Sequence, residues 1–220
     1  MTAPSVTSCA RAVHGPDPTG ERKRKQPRNL LVPPRVATFD LSNSRHCVVS
    51  LEYSIHKCSP RFLWELAFTF PQFGRLKGSP SGKPTNPAAE NAPKVLIVPT
   101  FQKSRHSLVA IGPEIEEEKD EMLETFLAWA NNVRDALVKA GHWADMTDPS
   151  SGYPVHSPRG PSYFSDVAAC QYLLKYPVMT TGCCNVLTHP QWETNFYPAL
   201  FFTTAPLDVL QSVLNGLELN

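Results

Sequence analysis

Val49-Ser50-Leu51-Glu52-Tyr53-Ser54-Ile55 alternates apolar and polar side chains, the period-two pattern of a strand with one face against a core. Just downstream, Ser59 offers a helix cap, Pro60 suits the first turn, and Phe62, Leu63, Leu66, Ala67 and Phe70 form an apolar stripe that stops at Pro71. The spacing therefore predicts a half-buried strand followed at once by a short helix.

Working outward, Val95-Leu96-Ile97-Val98 and Leu108-Val109-Ala110-Ile111 read as buried strands flanking the polar turn Gln102-Lys103-Ser104-Arg105. That is an edge hairpin, its connection too short for a crossover. From Glu116 to Ala140 the first turn is acidic, and Met122, Leu123, Phe126, Ala130, Val133 and Leu137 recur at helical spacing until Gly141. Such a stripe must cover a sheet. Asn195 to Thr204 reads as a strand, and Pro206 opens a last helix with Val209, Leu210, Val213 and Leu217 on one face. Strands and helices mix in one layered arrangement, and the fold class is α+β.

At 220 residues the chain fits one domain with a tail. Two regions hold a disproportionate number of its 22 prolines. Residues 1–43, with Pro16, Pro18, Pro27, Pro33 and Pro34 among basic side chains, read as a disordered lead-in, and residues 78–93 as a Pro/Gly/Ser-rich loop insertion in a domain spanning 44–220. The net charge of +1 gives no general case for nucleic acid or an acidic membrane as partner, and Arg22-Lys23-Arg24-Lys25 reads as a solvated charge run. No apolar stretch reaches the roughly 18–20 residues of a membrane span, and the first thirty residues lack the apolar core of a secretory signal. The expectation is a soluble intracellular chain, cytoplasmic first and mitochondrial second.

Six cysteines (Cys9, Cys47, Cys58, Cys170, Cys183 and Cys184) without even spacing read as reduced thiols. Thr181-Gly182-Cys183-Cys184-Asn185-Val186-Leu187 reads as the start of a buried strand, on which neighbouring side chains point to opposite faces. One sulfur would face the core and the other solvent or a partner; the alternative is two core cysteines, since cysteine is among the most buried residue types. His189 follows close behind, but a structural zinc site wants paired cysteines two to four residues apart and a second pair elsewhere. His142, Trp143, Asp145 and Asp148 read as core and turn residues rather than an acid/base set, because no nucleophile sits alongside. Dinucleotide, phosphate-loop and serine-hydrolase signatures are absent from the sequence.

Four segments together resemble the cobalamin-trafficking CblD (MMADHC) family: Gly141-His142-Trp143-Ala144-Asp145; Asp148-Pro149-Ser150-Ser151-Gly152; Gly182-Cys183-Cys184 with Val186, His189 and Trp192; and Phe202-Thr203 with Pro206. The likeness extends back to about residue 45 and leaves out the lead-in and the insertion. It implies a modified nitroreductase or flavin-reductase-like α+β sheet with flanking helices and no bound flavin. It also implies an adaptor, not an enzyme, which binds no cofactor alone and shares cobalamin with the processing chaperone CblC (MMACHC). Through that partner, cofactor would reach methionine synthase and methylmalonyl-CoA mutase. In the family the first cysteine of Gly-Cys-Cys gives a thiolate to cobalt, which assigns that role to Cys183, with Cys184 packed inward as second choice. Two other readings stay open on the residues: a flavin-dependent reductase of the same fold, and a thiol redox regulator.

Overall fold

In this computed structural model, which describes residues 29–41, 48–76, 94–182 and 184–219, the chain begins with β1 (Leu30–Asp40), β2 (Val48–Lys57) and α1 (Pro60–Thr69). A 3-10 segment (Pro71–Leu76), β3 (Leu96–Lys103), α2 (Pro113–Lys139), β4 (Ala144–Met146) and α3 (Asp166–Leu174) follow. The chain closes with β5 (Val178–Thr181), β6 (Cys184–Leu187), β7 (Phe196–Thr203) and α4 (Leu207–Leu217). Five strands make one antiparallel sheet in the order β1-β2-β3-β7-β4, and β5 with β6 forms a separate two-stranded hairpin. The mixed α+β class follows directly.

Alternation along the strands sorts the core into two layers. Leu51, Tyr53 and Ile55 of β2, Leu96 and Val98 of β3, and Ala199 and Phe201 of β7 meet Phe126, Trp129, Ala130, Val133 and Leu137 of α2 and Leu210 and Leu214 of α4. The opposite face, with Ile97, Phe101, Phe196, Leu200 and Phe202, meets Phe62, Leu66 and Phe70 from α1 and Ala169, Cys170 and Leu173 from α3. Helices thus cover both faces of the sheet. β2 is accordingly not half-buried: Glu52, Ser54 and His56, on its polar side, lie buried under the second layer.

The helix ends follow from local chemistry. Ser59 Oγ accepts the Phe62 N–H at 3.3 Å and Pro60 fills the first turn of α1. α2 ends in a Schellman motif: Gly141, at φ +86°, donates its N–H to the Val138 carbonyl, and His142 donates to Leu137. A side chain at 141 would have room, so the left-handed backbone is what calls for glycine.

Two expectations change. The lead-in was set to residue 43, but Leu30–Asp40 is a strand paired with β2. Pro33 and Pro34 are tolerated because they fall at a register shift on an edge strand, where no ladder N–H is required of them. Leu108–Ile111 is not a strand, and the predicted edge hairpin with β3 does not form. Instead the Glu118 carboxylate accepts the successive N–H groups of Arg105 (2.6 Å) and His106 (3.2 Å), turning the chain out of the sheet, and Leu108 donates to the Thr194 carbonyl. Val109 and Ile111 are left exposed, and α2 starts at Pro113, earlier than the acidic turn suggested. The insertion at 78–93 and the basic run at 22–25 lie outside the described residues.

Candidate functional site

The β5–β6 hairpin is the element that carries the paired cysteines. Its register is Thr181 opposite Cys184, Thr180 opposite Asn185, Met179 opposite Val186 and Val178 opposite Leu187. Two residues, Gly182 and Cys183, therefore separate the innermost pair. Gly182 has φ +58°, which the primed turns of two-residue hairpins demand at their first central position, and a Cβ there would meet open space. Cys183 lies outside the described residues, and Cys184 opens β6.

The expected buried strand is thus one arm of a largely exposed hairpin. Met179, Thr180 and Asn185 face solvent, while Leu187 is buried against the second core layer and Val178 packs beside it. β6 is half a hairpin on top of the domain's second layer, not a member of the main sheet, because the chain reverses at Gly182 and both arms are only four residues long.

Below the hairpin sits a polar group that the sequence did not reveal. Glu52 Oε1 accepts a hydrogen bond from the Tyr176 hydroxyl at 3.0 Å and another from His189 Nε2 at 3.1 Å. His189 Nδ1 accepts the N–H groups of Gln191 and Trp192, each at 3.2 Å, so its ring proton is on Nε2 and points at the carboxylate. Trp192 stacks on the imidazole with centroids 4.2 Å apart, and Phe101 and Phe196 flank it. Burial, and then the Glu52 charge, raises the Tyr176 phenol, which keeps it a donor. His189 is thereby engaged on both nitrogens. Among the described residues no group of three His, Cys, Asp or Glu side chains is placed to hold a metal.

The other described thiols are chemically quiet. Burial, with Glu65 nearby, pushes the Cys58 thiol up to about 12, and burial raises Cys170 well above its ordinary value beside Asp166. A thiol held protonated is a poor nucleophile and a poor metal ligand.

His56 occupies the same face of β2 as Glu52. Its Nε2 is 2.9 Å from Ser54 Oγ, its Nδ1 has no partner among the described residues, and burial lowers its pKa to about 4. The unfolded chain therefore binds one proton more than the folded chain between about pH 6.5 and 4, so this contribution is full above that window and is lost as pH falls through it. Lowering the pH from 7.5 to 5 is expected to cost about 2 kcal/mol through this ring alone. Urea titrations at the two pH values should show that loss in the wild type and not in His56→Gln.

Asp145 and Asp148 are structural. Asp145 is fully buried; its Oδ1 accepts from Met146 and His156 N–H, and its Oδ2 from Ser157 N–H. Asp148 opens a turn, accepting from the Ser150 and Ser151 hydroxyls; burial alone would raise its carboxyl, but these donors hold it below its ordinary value. Trp143 packs edge-on against Phe70 and Phe73. An open cleft of about 460 Å³ runs past Arg134, His142, Trp143 and His156; His156 is directed to Asn131, and Ser157 Oγ accepts from Trp143 and Gln72.

A family model described as "Methylmalonic aciduria and homocystinuria type D protein" matches residues 37–214, from β1 to the last helix. The chain belongs to this family. Curated relatives called "Cobalamin trafficking protein CblD" are 32% identical in Rattus norvegicus and 31% in Homo sapiens, each over 115 residues, which is 52% of this chain and 39% of the relative. The Gallus gallus protein of the same name is 29% identical over 118 residues. The chain thus matches about two fifths of the length of these type D relatives. The family match takes in the whole described sheet from Ala37 of β1 onward, the Glu52 group and the hairpin, so the features described above fall within it.

Proposed function

We propose that this chain is an adaptor of intracellular cobalamin trafficking rather than an enzyme. The observation that carries this reading is the family match across 37–214 together with the name of the curated relatives, "Cobalamin trafficking protein CblD". In this reading the α+β domain is a modified nitroreductase-like fold without flavin. It docks with the cobalamin-processing chaperone CblC and presents the Cys183 thiolate to the cobalt of the cofactor held there. Methionine synthase and methylmalonyl-CoA mutase are the downstream recipients, with the cytosol as first compartment and the mitochondrion as second.

The chemistry suits a hairpin thiol. A deprotonated cysteine is a soft, polarizable ligand, and cobalt in a corrin offers an axial position once its upper group has left. The hairpin exposes Met179, Thr180 and Asn185, and the thiols at 58 and 170 are held protonated, so neither competes. Among the described residues no helix is long and apolar enough to cross a membrane.

The test uses the full chain mixed with cobalamin-loaded chaperone. Wild type and Cys184→Ser should shift the cobalt absorption bands, and Cys183→Ser should not. An unchanged shift with Cys183→Ser removes that residue as the ligand.

A further inference from the structure

Tyr176 stands two residues before β5 and His189 two residues after β6, so the two side chains bracket the hairpin at its base. Just inside them the backbone closes through the Thr188 N–H and the Pro177 carbonyl at 2.8 Å, next to the β5–β6 ladder. Both side chains then reach one atom, Glu52 Oε1, on the inner strand β2, across 124 and 137 residues of chain. The clamp is rigid on its far side as well, since His189 is pinned by two backbone N–H groups and stacked on Trp192.

A carboxylate is an expensive choice here. Glu52 is only 6% exposed and neighbours Phe101 across the β2–β3 register, where an apolar side chain would suit the surrounding layer. A buried charge of this kind persists when its hydrogen bonds are made, and bonds to an ionised acceptor are roughly twice as strong as neutral ones. The element it holds needs such support. A two-stranded hairpin with four-residue arms is marginal by itself, and this one buries Leu187 while Met179, Thr180 and Asn185 face water.

We propose that Glu52 is a positioning residue that clamps both ends of the β5–β6 hairpin to the main sheet and so fixes the two arms that lead into and out of the stretch containing Cys183. This deepens, and rests on, the reading of Cys183 as the ligand. Glu52 itself touches no cobalt; it acts through Tyr176 and His189. Presenting a thiol from a fixed arm spares the ordering cost that a loose one would meet on entering a partner's pocket.

Hydrogen exchange on the full chain, free of cobalamin, tests the clamp. Glu52→Leu removes the acceptor and should speed exchange of the amides from Val178 to Leu187 at least about tenfold, with β3 and α2 unchanged. Glu52→Gln, which keeps an acceptor oxygen at that place, should restore most of the protection. Tyr176→Phe keeps the ring, deletes one donor, and should give the same local pattern at smaller amplitude, which covers the case in which Glu52→Leu does not fold. Wild-type protection of the hairpin in Glu52→Leu, or in Tyr176→Phe if only that variant folds, overturns the clamp, and so does loosening spread evenly over the whole sheet. In titrations into cobalamin-loaded chaperone, Glu52→Leu should need at least tenfold more protein for half of the cobalt band shift, and Glu52→Gln much less. A normal titration by a variant whose hairpin has loosened overturns the positioning role. If the hairpin loosens while the wild type itself gives no cobalt shift, the ligand reading fails and the clamp stands.

Discussion

Replacing Trp129 with alanine lowers the free energy of unfolding by about 3–5 kcal/mol, the range for deleting a large aromatic from a packed core. Trp129 is fully buried in α2 and is the largest of the fully buried side chains. It meets Phe39 of β1 and Phe201 of β7, each with ring centroids 5.8 Å away in edge-on geometry, and Phe126 one turn back. It therefore joins the long helix to an edge strand and to an inner strand at once. Its loss leaves a cavity that three elements cannot all collapse into. The indole N–H has no partner among the described residues, so Trp129→Phe, which sheds that unpaired donor and keeps a ring, should cost about 1 kcal/mol or less. Guanidinium titrations followed by far-UV circular dichroism distinguish the two, with an unchanged slope showing that stability changed while the surface exposed on unfolding did not.

Asp145→Ala should cost about 3 kcal/mol. The carboxylate of this buried strand residue receives three backbone N–H groups, from Met146, His156 and Ser157, at 2.8, 3.2 and 2.7 Å. Bonds to an ionised acceptor are individually strong, and an N–H left without one in a partly buried place costs about 1–3 kcal/mol. Asp145→Asn keeps one oxygen but turns an amide donor toward an N–H donor, so it should recover less than half of the loss. Amide resonances of His156 and Ser157 should move in both variants, while those of α4 stay put. An alanine variant as stable as wild type would mean that the 156–157 segment is held by something other than this side chain.

Legibility in the sequence followed the range of the interactions. The β2 strand, the Ser59 cap, the α2 stripe, β7 and the last helix were readable because each is encoded within a few residues of itself. β1 was missed because Pro33-Pro34 looks like linker, and only the β1–β2 pairing shows that a register shift on an edge can absorb it. Leu108–Ile111 has the composition of a strand, yet Glu118 from the next helix takes the N–H groups that would have started a ladder. The Glu52 group was invisible for a simpler reason. On an alternating strand a glutamate between Leu51 and Tyr53 reads as solvent-facing, and nothing nearby announces that α1, α3 and the hairpin will cover that side. The cysteine pair drew attention by composition, but the place of Cys184 at the start of a hairpin arm depended on knowing where the chain reverses.

The prolines of β1 gain meaning from what happens at the other end of the chain. Beyond Pro33-Pro34, the outer side of β1 is taken up by the C-terminal segment: Leu219 donates to the Thr38 carbonyl, Phe39 bridges Glu218, and Arg35 pairs with Glu218. On the far side of the sheet, Val155 donates to the Met146 carbonyl of β4, and Thr147 bridges Pro154. Each margin of the five-stranded sheet is thus partnered at one point by its own chain, and β1 also lacks the N–H groups of Pro33 and Pro34, so at those positions a foreign strand could pair only by displacing native partners. Self-association by strand addition is opposed at those positions.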